Sequence, residues 1–268
     1  MIDSHAHLWK LGENGCTWPT PDLEPIHRDF LLDDLHRVAE AAGIDGVILV
    51  QSQDSIADTE WLLTLAQDPL ISGIVGWIDF LAPDALQSLT VLASNRTIRG
   101  LRPMVQDLEG DWYDAPELDR GFAAMVQLGL VLDGLIRPKH LPSLHRLAER
   151  HPQLKIVIDH GAKPDFADLS GWQQQIAAIA RLPNVACKLS GLLTELPRRA
   201  APEAIGPAFG VLWNCFGPER LIWGSDWPVL TLAGSYGGWL SQAKQLVPAE
   251  HHNAVFDANA RRVYRIGG

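Results

Sequence analysis

Short apolar runs alternate along this chain with longer stretches whose apolar residues recur at helical spacing. Gly46-Val47-Ile48-Leu49-Val50 and Lys155-Ile156-Val157-Ile158 are nearly continuous in Val, Ile and Leu. Such runs suit strands buried on both faces of a parallel sheet. The same reasoning predicts strands at 1–7, 46–51, 73–78, 98–102, 130–135, 155–159, 185–189 and 221–224. Amphipathic patterns predict helices at 33–42, 59–67, 83–93, 116–128, 141–150, 172–181 and 202–215. Gly43 stops the first of these, and Pro83 and Pro116 open two others, as helix ends and starts favour. Strands that alternate with helices in this way predict an α/β protein, a parallel (β/α)8 TIM barrel. An open doubly wound sheet is the alternative. It would want a Gly-rich phosphate turn after the first strand, where this chain carries His5-Ala6-His7-Leu8-Trp9.

A length of 268 residues matches one such barrel, so residues 1–268 are expected to form one domain. Formal net charge is -10, from 22 basic and 32 acidic side chains, without a basic stripe. That argues against a nucleic-acid partner, but a local pocket can still be basic. Cys16, Cys187 and Cys215 are odd in number and far apart, unlike a disulfide framework. No leader precedes Asp3 and no apolar stretch is long enough for a bilayer. A cytoplasmic protein without a membrane partner is therefore expected. Self-association is left open.

The long unpatterned stretches, 8–29, 103–115, 161–171 and 191–201, all follow predicted strands. In a barrel such loops line the C-terminal mouth, where the chemistry sits. Polar residues also gather at strand ends. In an extended chain His5 and His7 point to one side, and two imidazoles begin a Zn, Mn or Fe site. Alone they could be two unrelated surface histidines. Gln51, Trp77 with Asp79, Arg102, Asp159-His160, Lys188 and Asp226-Trp227 end later strands. His5, His7, His160 and Asp226 would then converge as a metal site or an acid/base cluster. Asp54, Asp133 and His140 are placed less firmly, and the remaining histidines are expected at the surface or in packing.

The segments Asp3-Ser4-His5-Ala6-His7-Leu8-Trp9, Gly76-Trp77-Ile78-Asp79, Gly100-Leu101-Arg102, Ile158-Asp159-His160-Gly161-Ala162-Lys163-Pro164, Cys187-Lys188-Leu189-Ser190-Gly191 and Trp223-Gly224-Ser225-Asp226-Trp227-Pro228 occur in that order. Over nearly the whole chain they resemble the amidohydrolase superfamily, in its branch of TIM-barrel metal-dependent hydrolases. That branch includes sugar lactonases acting on L-fuconolactone or L-rhamnonolactone, and 2-pyrone-4,6-dicarboxylate lactonase. The resemblance implies that His5, His7, His160 and Asp226 are the metal ligands, and that Asp226 is the general base with His160 beside it in catalysis. No Lys or Glu matches the family's bridging ligand on the fourth strand, which offers Arg102 instead. At most one divalent ion, zinc, is expected, and a metal-independent variant stays open.

The implied reaction is hydrolysis of a lactone, with a sugar 1,4- or 1,5-lactone first and 2-pyrone-4,6-dicarboxylate second. A metal-dependent decarboxylase and a barrel that only binds a sugar acid are the alternatives. A lactone carbonyl needs polarisation, a nucleophilic water and stabilisation of its oxyanion. Arg102, Lys163 and Lys188 could bind an oxyanion or carboxylate, or could equally form structural ion pairs. Gln51, Trp77 and Trp227 are the candidates for hydroxyl recognition and stacking.

Overall fold

The computed structural model describes residues 1–267. The strands β1 (Ile2–Ala6), β2 (Gly46–Val50), β3 (Ile71–Gly76), β4 (Ile98–Leu101), β5 (Val131–Gly134), β6 (Ile156–Ile158), β7 (Val185–Leu189) and β8 (Leu221–Trp223) form one parallel sheet in chain order. The helices α1 (Leu32–Ala42), α2 (Ile56–Thr64), α3 (Ala85–Ala93), α4 (Asp119–Leu128), α5 (Leu141–Arg150), α6 (Ser170–Ile179) and α7 (Gly206–Phe216) connect them, and α8 (Tyr236–Leu246) and α9 (Asn259–Tyr264) follow β8. The architecture is the expected (β/α)8 barrel.

Element ends differ from the expectation for local reasons. α2 starts earlier because the Ser55 side chain accepts from the Ala57 N–H and caps it there. The stretch expected as one helix from Pro202 begins as a tight turn and becomes α7 only at Gly206. α8 and α9 were not expected. α8 opens on Tyr236-Gly237-Gly238, poor helix formers, and α9 spans only six residues.

The barrel interior is layered. Ile2, Ile48, Val50, Val75, Val131, Val157, Ala186 and Ile222 fill its lower part, and Ala260, Val263 and Tyr264 of α9 pack beneath them. A second apolar shell lies between strands and helices. Two residues beyond Val131, Val157 and Ala186 on the same strand faces come Asp133, Asp159 and Lys188, all fully buried. The layer nearest the mouth is therefore charged.

The seam between β8 and β1 closes just past the strand ends. The Asp226 N–H donates to the His5 carbonyl at 2.8 Å, and the His7 N–H donates to the Trp227 carbonyl at 2.7 Å. A Cβ on Gly224 would stand 2.8 Å from the His5 Cβ, so glycine permits this approach. Among the described residues, no helix is long and apolar enough to cross a membrane.

Candidate active site

His5 sits on β1 and His7 one residue beyond it. The register against β2 shifts between Asp3 and Ala6, yet the two Nε2 atoms meet at 3.2 Å. Asp226 Oδ1 lies 3.3 Å from His7 Nε2, 3.7 Å from His5 Nε2 and 3.8 Å from His160 Nε2. The rings of His5 and His160 are 4.6 Å apart. The expected quartet thus converges at the mouth.

Its backbone is strained to do so. His160 and Asp226 adopt φ of 53° and 59°, a left-handed conformation that costs about 1–3 kcal/mol for such residues. Long-range bonds hold it. Asp3 Oδ1 accepts from the Ser225 N–H at 2.8 Å, and Asp3 Oδ2 accepts from the Tyr236 hydroxyl at 2.7 Å. His160 Nδ1 is 2.9 Å from Ser190 Oγ. Gly191, with φ of 62°, leaves room for that ring: a Cβ there would stand 2.4 Å from His160 Nδ1.

A charged layer supports the imidazoles. Lys188 Nζ lies 2.9 Å from His5 Nδ1, 2.5 Å from Asp133 Oδ2 and 3.1 Å from Asp159 Oδ1. The Tyr264 hydroxyl donates to Asp133 at 2.8 Å. Arg102 pairs with Asp159 at 3.4 Å and donates to the Gln51 carbonyl and, at 2.9 Å, to Gln51 Oε1. Burial lowers the basicity of His5 and His160, so both favour the neutral ring. Burial alone would raise Asp226, but the facing His160, His7 and His5 side chains outweigh it and hold its carboxyl well below the usual range. Asp226 is therefore ionised at neutral pH, as a proton acceptor must be.

Above this floor opens a cavity of about 430 Å³, lined by His7, Arg102, His160 and Asp226 and walled by Trp18, Gln53, Asp54, Gln106, Asp107 and Lys163 among others. Gln106 Oε1 is buried without a hydrogen-bond partner. Arg102 and Lys163 thus reach the cavity, Lys163 beside Glu195 at 3.4 Å.

Four expected contacts are corrected. Lys188 is sealed beneath His5, because its side chain belongs to the inner layer of β7. Gln51 is fully buried and holds Arg102 from behind. Trp77 faces a neighbouring groove with Phe80 and Trp112. Trp227 packs edge-on against Phe30 and lines a separate cleft with Arg28 and Tyr236. His140 and Asp133 are buried supports, and Asp54 lines the cavity. His36 and His151 pair with Asp68 and Asp119 in packing. Sequence reasoning missed Gln53 and Gln106, which come from loops without a repeating pattern. It also missed Asp159 as a support, although the strand alternation from Val157 points to it.

Spacing within the cluster suits one divalent ion. Separations of 3.2–3.7 Å among His5, His7 and Asp226 approximate the edges of a polyhedron with bonds of about 2.0–2.1 Å. His7 Nδ1 donates to the Val50 carbonyl at 2.8 Å, which leaves the Nε2 lone pair facing the cluster. A second grouping, His5, Asp159 and His160, is less suited, since Asp159 already serves Lys188 and Arg102.

A family model described as Amidohydrolase matches residues 2–266. An L-fucono-1,5-lactonase of Burkholderia ambifaria is 39% identical, over 99% of this chain and 95% of its own length. An L-fucono-1,5-lactonase of Burkholderia multivorans is 33% identical, over 99% and 96%. The crystal structure of an amidohydrolase from Burkholderia multivorans with bound zinc superposes with a TM-score of 0.91 at 32% identity, covering 99% of each chain.

Proposed function

The chain belongs to the amidohydrolase family, and on that premise we propose that it is an enzyme that opens a sugar lactone by hydrolysis, with an L-fucono-1,5-lactone type of ring as the first candidate. One observation carries the reading. The ionised Asp226 carboxylate stands 3.3 Å from His7 Nε2 at the floor of a cavity that Arg102 and His160 also line. Identity of 39% to a lactonase over the whole chain supports the substrate class.

The chemistry follows from these positions. Asp226 accepts a proton from a water as its oxygen attacks the lactone carbonyl carbon. Negative charge develops on the carbonyl oxygen, where the neighbouring imidazoles and the Arg102 guanidinium stabilise it. The ring C–O bond breaks, and the proton held by Asp226 passes to the leaving ring oxygen. The product is a hydroxy acid, whose carboxylate Arg102 and Lys163 attract. A zinc ion, held by His7 and Asp226 with His160 and His5 within reach, would supply Lewis-acid polarisation. Trp18 and Gln106 give the walls an aromatic face and an amide suited to sugar hydroxyls. Asp54 and Asp107 also line the cavity and weigh against the dianionic 2-pyrone-4,6-dicarboxylate. We place the enzyme in the cytoplasm, where its three free thiols suit a reducing environment.

A pH-indicator assay over aldonolactones and 2-pyrone-4,6-dicarboxylate, corrected for spontaneous hydrolysis, tests the reading. Acid release should be fastest on a sugar lactone. Release from the pyrone alone, or from no lactone, would overturn it.

A further inference from the structure

Gln53 stands just past β2, two residues beyond Gln51, the side chain that holds Arg102 from behind. It borders the cavity yet is only 3% exposed. A side-chain amide can donate two hydrogens and accept at two lone pairs, and here all four places are taken. Gln53 Oε1 accepts from the Thr17 N–H at 3.0 Å and from the Trp18 N–H at 3.2 Å. Gln53 Nε2 donates to the Trp18 carbonyl at 2.8 Å and to Ser52 Oγ at 2.9 Å. The partners fix which end of the amide is which. Two backbone N–H groups need the oxygen, and a backbone carbonyl needs the nitrogen. The amide has nothing left for a sugar hydroxyl.

Both polar backbone groups of Trp18 thus close on one side chain from a distant segment. Among the described residues, neither Thr17 nor Trp18 donates to a backbone carbonyl, so Gln53 stands in for the strand partner this stretch lacks. Cys16 Sγ adds a contact to the same Trp18 carbonyl at 3.1 Å. The turn that carries Gln53 is itself anchored, since Asp58 Oδ2 accepts from the Ser52 and Gln53 N–H groups at 2.8 and 3.3 Å. Holding the N–H and the carbonyl of Trp18 sets the direction of its Cα–Cβ bond. The indole then meets the fully buried Trp9 edge-on, with ring centroids 5.4 Å apart. It stays half-buried, in the wall of the cavity that His7, His160 and Asp226 also line.

We propose that Gln53 is a positioning residue that acts through Trp18: it holds the indole as the apolar wall against which the C–H face of a sugar lactone packs, and so sets affinity for the substrate rather than the rate of ring opening. The inference rests on the lactonase reading, which it deepens. Aromatic walls with few fixed polar groups are the usual make-up of a small-molecule site. The indole gains the same contact from the ring before and during the reaction. An interaction equal in the ground and transition states is read in KM and not in kcat. The hydrogen bonds of the Gln53 side chain go to Thr17, Trp18 and Ser52, and none goes to Asp226 or the imidazoles.

Gln53→Leu keeps the size of the side chain and removes all four bonds. On L-fucono-1,5-lactone, KM should rise about tenfold, the upper range for a single aromatic contact. The fall in kcat should stay below about threefold, as expected for lost uniform binding. Trp18→Ala should show the same pattern. The double variant Gln53→Leu/Trp18→Ala should lose no more than Trp18→Ala alone, because the first residue acts through the second. An unchanged KM, a loss confined to kcat, or losses that multiply in the double variant would overturn the proposal. Should Gln53→Leu fail to fold, Gln53→Glu takes its place in the cycle under the same rule. It keeps an acceptor for the two N–H groups and loses the donor to the Trp18 carbonyl. A second readout needs no turnover. The indole proton–nitrogen NMR signal of Trp18, assigned by Trp18→Phe, should shift in the parent as the hydroxy acid from that lactone is titrated in, and should be displaced in Gln53→Leu before any acid is added. A Trp18 signal that ignores the acid in a parent that hydrolyses the lactone, or that is the same in Gln53→Leu, would sink the idea. Failure of the lactonase reading would appear in the substrate panel, and the Trp18 signal of Gln53→Leu would still report whether Gln53 holds the indole.

Discussion

The backbone N–H of Asp226 donates to the carbonyl of His5 at 2.8 Å, and the Asp226 side chain faces His5 Nε2 at 3.7 Å. The bond that helps close the barrel therefore also sets a carboxylate opposite the imidazole pair. Around it, Ser225 donates to Asp3, and Asp3 in turn accepts from Tyr236. The positive φ of Asp226 is held by contacts from both ends of the chain, as a strained functional position requires.

Asp226→Asn keeps this shape and removes the proton acceptor. The background-corrected kcat on the best lactone should fall by about a hundred- to ten-thousand-fold, the usual worth of a general base. Thermal unfolding should stay near that of the parent. A kcat within about threefold of the parent would mean that Asp226 only supports the seam.

Gly191→Ala tests how tightly the His160 ring is held. The new methyl would stand 2.4 Å from His160 Nδ1 on a backbone with φ of 62°. The ring must move away from Ser190. We expect a loss of stability of about 1–3 kcal/mol from the backbone strain alone, and at least a tenfold loss of kcat from the displaced imidazole, about 1.4 kcal/mol of barrier. Unchanged kinetics would show that His160 tolerates another position.

Metal content is expected at no more than one ion per chain after mild purification. The fourth strand presents Arg102, a cation, where a second ion would need a bridging ligand, and Asp159 is already engaged with Lys188. Elemental analysis checks this. Two ions per chain would contradict it.

Asp58 gives a pH signature. Burial pushes its carboxyl from 3.8 up to about 6, against the bonds it accepts from the Ser52 and Gln53 N–H groups. A folded pKa above the unfolded one means that the folded protein holds the proton more tightly. The group's contribution is then full below about pH 4 and lost as pH rises through about 6. Asp58→Asn lacks this titration. Its stability relative to the parent should rise between pH 4 and 7 by on the order of 3 kcal/mol, following the size of the shift. Denaturant unfolding at several pH values measures the difference, and a flat difference would rule out a raised Asp58.

The eight strands, most of the helices and the four converging side chains were legible in the sequence. Buried parallel strands are written as apolar runs, and barrel topology sends the residues at their ends to one mouth. His5, His7, His160 and Asp226 could therefore be placed together without coordinates. The roles of Lys188, Gln51, Trp77 and Trp227 could not. Position at a strand end says that a side chain is near the mouth, but not whether it faces the cavity, lies beneath it or turns to a neighbouring cleft. For Lys188 that depended on the inner layer it shares with Asp133 and Asp159, and for Trp227 on its packing against Phe30. The cavity walls at Trp18, Gln53 and Gln106 come from loops with no periodicity to read. Gln53 accepts from the N–H groups of Thr17 and Trp18 at 3.0 and 3.2 Å, a contact between distant segments. Local pattern determined the frame of this protein because burial imposes a period on each element. Tertiary packing decided which polar groups touch the cavity, because hydrogen bonds between remote segments leave no period behind.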